Sequence, residues 1–160
     1  MELLVAVGII AILAGIVFKG ASFLRDRAEG VRCVTNMRSL QVSLAAYVQD
    51  KGHWPQEPEE IWNSDNPDAY EDWWLTELEP YQAPEEVWQC PSVKRLVVSK
   101  SKNGRPKIHY TPTMFDENPY TPYKWSNQPW LTEIGNMHGR GALICFPDGS
   151  IRAMNDVVKR

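Results

Sequence analysis

The first 51 residues change from one hydrophobic pattern to another. An unbroken run of apolar or small side chains extends from Leu3 to Phe18, between Glu2 and Lys19. From residue 23 to residue 51 there is no proline, and apolar residues recur every three or four positions, the period of one helix face. The pattern predicts one continuous stalk helix over residues 1–51, about 75 Å long. Its amphipathic part has a predicted apolar face of Leu24, Ala28, Val31, Val34, Met37, Leu40, Leu44 and Tyr47.

The apolar run at residues 3–18 is a candidate membrane span. It covers about 24 Å as a helix, slightly less than the ~20 residues that a span needs, so a few more apolar residues ahead of Met1 would complete it. A secretory signal peptide fits poorly, because Glu2 stands where basic residues belong and no Ala-x-Ala cleavage site follows. We therefore expect a membrane helix that continues into a stalk, with an earlier natural start than Met1.

Residues 52–160 predict a compact body with both helix and strand. Gly52 to Gln56 should end the stalk with a turn, because glycine and proline interrupt the helical pattern there. Residues 69–78 predict a short helix capped by Asp68, with Trp73, Trp74 and Leu78 facing inward. The whole chain is about one domain's worth, so a second full domain is not expected.

Two hairpins are predicted in the body. Residues 96–99 and 107–111 read as strands joined by the Asn103-Gly104 turn. Residues 142–146 and 150–154 read as a second pair, joined by the tight turn at Asp148-Gly149.

Charge is unevenly distributed along the body. The net charge of −3 and the pI of about 5.6 argue against a nucleic-acid partner, which needs a basic surface. Residues 52–88 carry eleven acids and no Lys or Arg, whereas residues 94–107 carry six bases and no acid. Two interpretations remain open: the two segments pair within one molecule, or copies dock acidic side to basic side along a filament.

Several short motifs, taken together, resemble one family. The opening ELLVAVGIIAILAGI closely resembles the N-terminal methylation segment of type IV pilins and type II secretion pseudopilins, with Glu2 at the family's glutamate five residues into the mature chain. Lys19-Gly20 stands where many relatives have a proline. Three further matches are Cys33-Val-Thr-Asn36-Met-Arg38, Cys90-Pro-Ser92, and His138 followed after nine residues by Asp148-Gly149.

The resemblance implies both a fold and a role. The fold would be α+β and pilin-like, with the long helix on a small antiparallel sheet. The chain would be a non-enzymatic subunit of a type IV pilus-like or type II secretion pseudopilus filament, anchored in the bacterial inner membrane before assembly. Its partners would be membrane lipid, other pilin or pseudopilin subunits, an assembly platform and a prepilin peptidase. Basic residues after the span would favour a cytoplasmic body, but the family places the body on the periplasmic or outer side.

Three positions carry specific expectations. Glu2 would pair with the N-terminal amine of a neighbouring subunit, or else be an acid favoured by the helix dipole. Cys33 and Cys90 would form a disulfide between stalk and body, or else stay as buried thiols. Cys145 would be exposed or packed under a loop.

His138 with Asp148 and Gly149 forms the last candidate motif. No nucleophile motif accompanies the imidazole, so we expect His138 to fix the hairpin by bonding a backbone carbonyl or the Asp148 side chain. No cofactor is expected, because the cysteines and histidines show no metal-ligand spacing. Calcium is a weaker possibility, because oxygen ligands are plentiful but not regularly spaced; they belong to Asp116, Glu117, Asn118, Asn136 and Asp148.

The tryptophans suggest an alternative role. Seven of them, Trp54, Trp62, Trp73, Trp74, Trp88, Trp125 and Trp130, either form an aromatic core or line a sugar-binding surface. In the second case the chain would be a membrane-anchored periplasmic carbohydrate-binding module that does not polymerise.

Overall fold

A single long helix, α1, runs from Glu2 to Lys51 and confirms the predicted stalk. The computed structural model describes residues 2–66, 68–96 and 106–158, and of these the side chains of residues 2–5, 10–14, 16–20 and 96 are not described. The helix ends as predicted, because Gly52 takes a φ of 75° and donates its N–H to the Val48 carbonyl. Over the part of the chain that the structure describes, no helix is long and apolar enough to cross a bilayer. Most side chains of the predicted span, residues 3–18, lie outside that part.

Short helices form the middle of the body. They are α2 (Glu59–Trp62), α3 (Ala69–Leu78), two 3₁₀ turns (Glu79–Tyr81 and Glu85–Trp88) and α4 (Pro91–Leu96). The prediction of α3 is confirmed, with Trp74 and Leu78 buried and Trp73 half-buried. Asp68 occupies the N-cap position as predicted, but the expected capping bond is wrong: its side chain makes none, and its carboxylate instead lies 3.5 Å from Lys107 Nζ.

Four short antiparallel strands form one sheet in the order β1-β2-β3-β4. Their bounds are Tyr110–Pro112, Leu131–Glu133, Leu143–Cys145 and Ile151–Ala153. The β3-β4 hairpin confirms the second predicted pair, with Ile144 opposite Arg152. Two small helices, α5 (Thr121–Lys124) and α6 (Met154–Val158), complete the body. The described part of the chain therefore has a mixed helix and antiparallel-sheet architecture, in agreement with the α+β prediction.

Only part of the first predicted hairpin falls within the described residues. Its turn and most of its first strand, residues 97–105, lie outside the described residues. Leu96 is not in a strand but ends α4, and a strand start there is wrong. Pro91 occupies the first position of α4 and favours a helix there. Its fixed φ suits a helix start, and the N–H that it lacks would have no hydrogen-bond partner within the helix. The later strand forms as β1, but it pairs with β2.

One continuous core joins α1 to the body. Met37, Leu40, Leu44 and Tyr47 are buried as predicted, and α1 packs on α4, the second 3₁₀ turn and β3. The predicted apolar face is not buried throughout: Leu24 and Val31 are 66% and 63% exposed. Leu24 precedes the part of α1 that the body covers, whereas Val31 lies within that part and is nevertheless exposed.

Candidate functional site

Two cysteines join α1 to the segment before α4. Cys33 and Cys90 form a disulfide with a Cα–Cα distance of 5.1 Å, and both residues are fully buried. The Asn36 amide, one turn after Cys33, donates a 3.0 Å bond to the Gln89 carbonyl. The expected disulfide is therefore present, and Asn36 of the same sequence motif holds the partner segment in place.

A buried glutamate and a histidine face this disulfide. Glu133, at the end of β2, has a side chain with no exposed surface, and its Oε1 lies 3.1 Å from Nε2 of His138. The other carboxylate oxygen accepts the Leu143 N–H at 3.3 Å. His138 Nε2 also lies 3.7 Å from the sulfur of Cys90. Cys33, Cys90, Glu133 and His138 thus form one cluster, with a ligand-type atom of each within 4.8 Å of the others.

The electrostatics of the cluster favour an ion pair. The hydrogen bond that the His138 ring donates to the Glu133 carboxylate raises the pKa of His138, against the opposing effect of burial. A carboxylate without exposed surface is stabilised when a neighbouring group carries positive charge. The contact with Glu133 therefore favours the protonated ring of His138 beside the disulfide.

Gly30 lets the helix approach this cluster closely. A Cβ atom at Gly30 would lie 3.4 Å from Nδ1 of His138, tighter than most such contacts. Gly30, Val34, Met137 and His138 together line a groove between α1 and the body. His138 is 14% exposed, so the cluster has one edge open to this groove.

A second buried histidine holds the Cys90 segment from the other side. His109 is 1% exposed, its Nδ1 accepts the Cys90 N–H at 2.9 Å, and its own backbone N–H donates to the Trp88 carbonyl. Burial lowers the pKa of His109 and favours the neutral ring that this acceptor role requires.

The structure corrects the role predicted for the His138 motif. His138 contacts Glu133 instead of Asp148 or a backbone carbonyl. Asp148 instead accepts the Ser150 N–H at 2.9 Å, and Gly149, at a φ of 74°, donates its N–H to the Phe146 carbonyl. Asp148 and Gly149 are thus turn residues, as expected, and His138 belongs to the cluster under α1.

Sequence reasoning missed Glu133 and the cluster. The four residues come from α1, the segment directly before α4, β2 and the loop after β2, so no local sequence spacing connects them. One signal was available: Glu133 is an acid at an inward position of the β2 pattern, two residues after the apolar Leu131. A charged residue at such a position indicates a buried partner.

The remaining predicted positions are placed as follows. The side chain of Glu2 lies outside the described residues. Cys145 is a free thiol, fully buried, and burial raises its pKa to about 12. Four of the five candidate calcium ligands accept a bond from a local backbone N–H group: Asp116 from Asn118, Asn118 from Tyr120, Asn136 from Gly141, and Asp148 from Ser150.

Four of the seven tryptophans are core residues. Trp54, Trp74, Trp88 and Trp130 are fully buried, and Trp54 makes edge contacts with Trp130 and Phe115. Trp62 and Trp125 are 64% and 55% exposed. Most of the indole surface therefore serves packing.

The charged segments pair with the rest of the same molecule where they are described. Lys107 forms ion pairs with Asp68 and Asp72, and Arg95 pairs with Asp26 and Glu29 of α1. Lys107 therefore supports the interpretation that the acidic and basic segments pair within one molecule.

Comparison with known proteins gives no neighbour. No family model matches the chain, no curated protein matches it, and no solved structure matches its fold.

Proposed function

We propose that this protein is a structural subunit of a type IV pilus-like or type II secretion pseudopilus filament, held in the membrane by residues 3–18 before assembly. The observation that carries the proposal is the difference in burial between the two halves of α1. One face of its second half is buried from Cys33 onward, whereas every described side chain before Glu29 is exposed. A helix that its own body covers over only half its length needs another environment for the rest.

The described part of the first half of α1 exposes several apolar side chains, which favours lipid and then neighbouring helices. Val7, Ile9, Phe23 and Leu24 are 54–66% exposed. Exposed apolar surface of this kind is typical of interaction sites, and helix packing replaces lipid contacts without an added hydrophobic cost. The same segment can therefore be a membrane anchor in the free subunit and a packed helix in the filament.

The body is fastened to α1 by links spread along the helix. The Cys33–Cys90 disulfide lies between the Arg95–Glu29 ion pair and a bond from Gln41 to the Pro147 carbonyl. A subunit withdrawn from a membrane through its helix must move its body as well. These links support that use, because they prevent the helix from sliding out of the body.

The proposed location is the inner membrane, with the body on the periplasmic or outer side. A buried disulfide is expected to persist in an oxidising compartment. In this proposal the partners are other pilin-type subunits, an assembly platform, a prepilin peptidase and membrane lipid. The role is assembly, with no reaction of its own.

The test replaces Glu2, whose carboxylate would set the register between subunits. In the native cell, Glu2→Leu should still enter the membrane fraction but should be lost from sheared filaments. The matched control is Glu60→Gln, an exposed acid of α2, which should be incorporated normally. Equal incorporation of Glu2→Leu, or absence of the wild-type chain from any filament, would refute the proposal.

The exposed indoles of Trp62 and Trp125 are the observation that favours the alternative, a membrane-anchored carbohydrate-binding module. Trp62→Ala and Trp125→Ala should then abolish binding to cell-wall polysaccharide, while the wild-type chain stays monomeric in the membrane. For a filament subunit, both variants should assemble and the wild-type chain should show no polysaccharide retention.

A further inference from the structure

We propose that the cluster of Cys33, Cys90, Glu133 and His138 binds a single zinc ion when the cysteines are reduced. This site goes beyond the filament role and does not depend on it. Two thiolates, one imidazole and one carboxylate are donors that Zn²⁺ accepts in protein sites.

The distances in the cluster suit a tetrahedral zinc site. Ligand atoms around such an ion are about 3.3–3.8 Å apart, given bonds of about 2.0–2.3 Å. His138 Nε2 lies 3.1 Å from Glu133 Oε1 and 3.7 Å from Cys90 Sγ. The ligand-type atoms of all four residues lie within 4.8 Å of one another. The two bonded sulfurs must separate, and the Cα distance of 5.1 Å between Cys33 and Cys90 allows this by side-chain rotation.

The surroundings orient the ligands and leave an entry path. The Leu143 N–H holds one Glu133 oxygen, a contact of the kind that fixes a metal-binding carboxylate. The Asn36 amide and His109 hold the two polar atoms of the peptide group that joins Gln89 to Cys90. His138 lines the groove beside Gly30, so an ion would approach the buried sulfurs from this side.

The chemical step that creates the site is thiol–disulfide exchange with a dithiol. The dithiol reduces the Cys33–Cys90 bond, gives two thiols and is itself oxidised to a disulfide. Each thiol then loses its proton to water as it binds the ion. Two thiolates and one carboxylate carry three negative charges, so the site with the doubly positive ion has a net charge of −1.

The experiment uses the full chain in detergent micelles, with and without a phosphine reductant, followed by zinc chloride and gel filtration. We expect one zinc per reduced chain and essentially none on the oxidised chain. Cobalt chloride should give the intense near-ultraviolet thiolate-to-cobalt band in the reduced chain alone. Absence of zinc from the reduced chain would overturn the proposal.

Variants identify the ligands. Cys33→Ser with Cys90→Ser should abolish binding, and Glu133→Gln or His138→Gln should weaken it at least about tenfold. Cys145→Ser is the thiol control, because Cys145 is the free cysteine outside the cluster, and it should bind as the wild type does. Undiminished binding by both Glu133→Gln and His138→Gln would overturn the site.

A loss of fold on reduction would still be informative. If the reduced chain loses the near-ultraviolet dichroism of its buried tryptophans, zinc should restore that signal at one equivalent in the wild type. Zinc that leaves the reduced chain unfolded would count against the proposal.

Discussion

Gln41 and Pro147 join the middle of α1 to the far end of the sheet. The Gln41 amide donates a 2.9 Å hydrogen bond to the Pro147 carbonyl, in the turn between β3 and β4. Gly149 of the same turn lies against the Gln41 side chain, where a Cβ atom would be 3.6 Å from Oε1. The turn that the sequence marks as Asp148-Gly149 is therefore docked on the helix as well as closing the hairpin.

Removing this link should loosen the hairpin. Gln41→Ala leaves the half-buried Pro147 carbonyl without its donor and should lower the free energy of unfolding by about 1 kcal/mol. Gln49→Ala, an exposed glutamine two turns further along α1, should change it by less than about 0.5 kcal/mol. Urea unfolding of the full chain in detergent measures both. Equal effects of the two substitutions would show that the Gln41 bond contributes nothing.

Glu29 should make stability depend on pH in the acid range. Its carboxylate accepts bonds from Arg95, Arg25 and Ser92, and the Arg95 guanidinium is the main reason that its pKa falls from 4.5 to about 2. A pKa lowered by folding stabilises the protein above the unfolded value, and the contribution is lost as pH falls from 4.5 toward 2.

Glu29→Gln tests this contribution. At pH 7 the substitution should lower the free energy of unfolding by about 2 kcal/mol, because a charged acceptor of several bonds is lost. The difference from the wild type should shrink between pH 4.5 and pH 2. Glu60→Gln, an exposed acid, should show no such trend. A difference that is constant with pH would contradict the assignment.

Local patterns were sufficient to predict the regular elements. The 3.6-residue period, a glycine stop and a proline-free stretch gave α1, and Trp74 with Leu78 on one face gave α3. The β3-β4 pair followed from alternation around Asp148-Gly149. In each case the signal lies within one element or one turn, so the local amino-acid sequence is sufficient to predict the element.

Contacts between distant elements were not predictable in this way. The motif predicts a bond from His138 to a backbone carbonyl or to Asp148, whereas its partner Glu133 is placed by the pairing of β2 with β3. The burial of Met37 but not Leu24 depends on where the body sits along α1, which the helical period does not contain. Only the fold decides which part of a repeated face is covered.

Thiol counting tests the disulfide directly. Unfolded without reductant, the chain should take up one maleimide, on Cys145; after reduction it should take up three. Reduction should also lower stability by about 2–4 kcal/mol, because the bond closes a long loop with a separation of 57 residues. Intact mass and urea unfolding provide the two readings. Three labels without reductant would mean that the bond does not form.

Mutagenesis can distinguish the pairing of His138 with Glu133 from a pairing of His138 with Asp148. Under oxidising conditions, His138→Ala should lower the free energy of unfolding by about 3 kcal/mol, because it leaves the Glu133 carboxylate buried and unpaired. The double variant His138→Leu with Glu133→Leu should lose less free energy of unfolding than the sum of the losses in His138→Leu and Glu133→Leu, since no unpaired charge remains in the double variant. A double-mutant cycle of His138→Ala with Asp148→Asn should give a coupling near zero, because Asp148 bonds the Ser150 N–H instead. Strong coupling to Asp148, or unchanged stability of His138→Ala, would contradict this arrangement of the cluster.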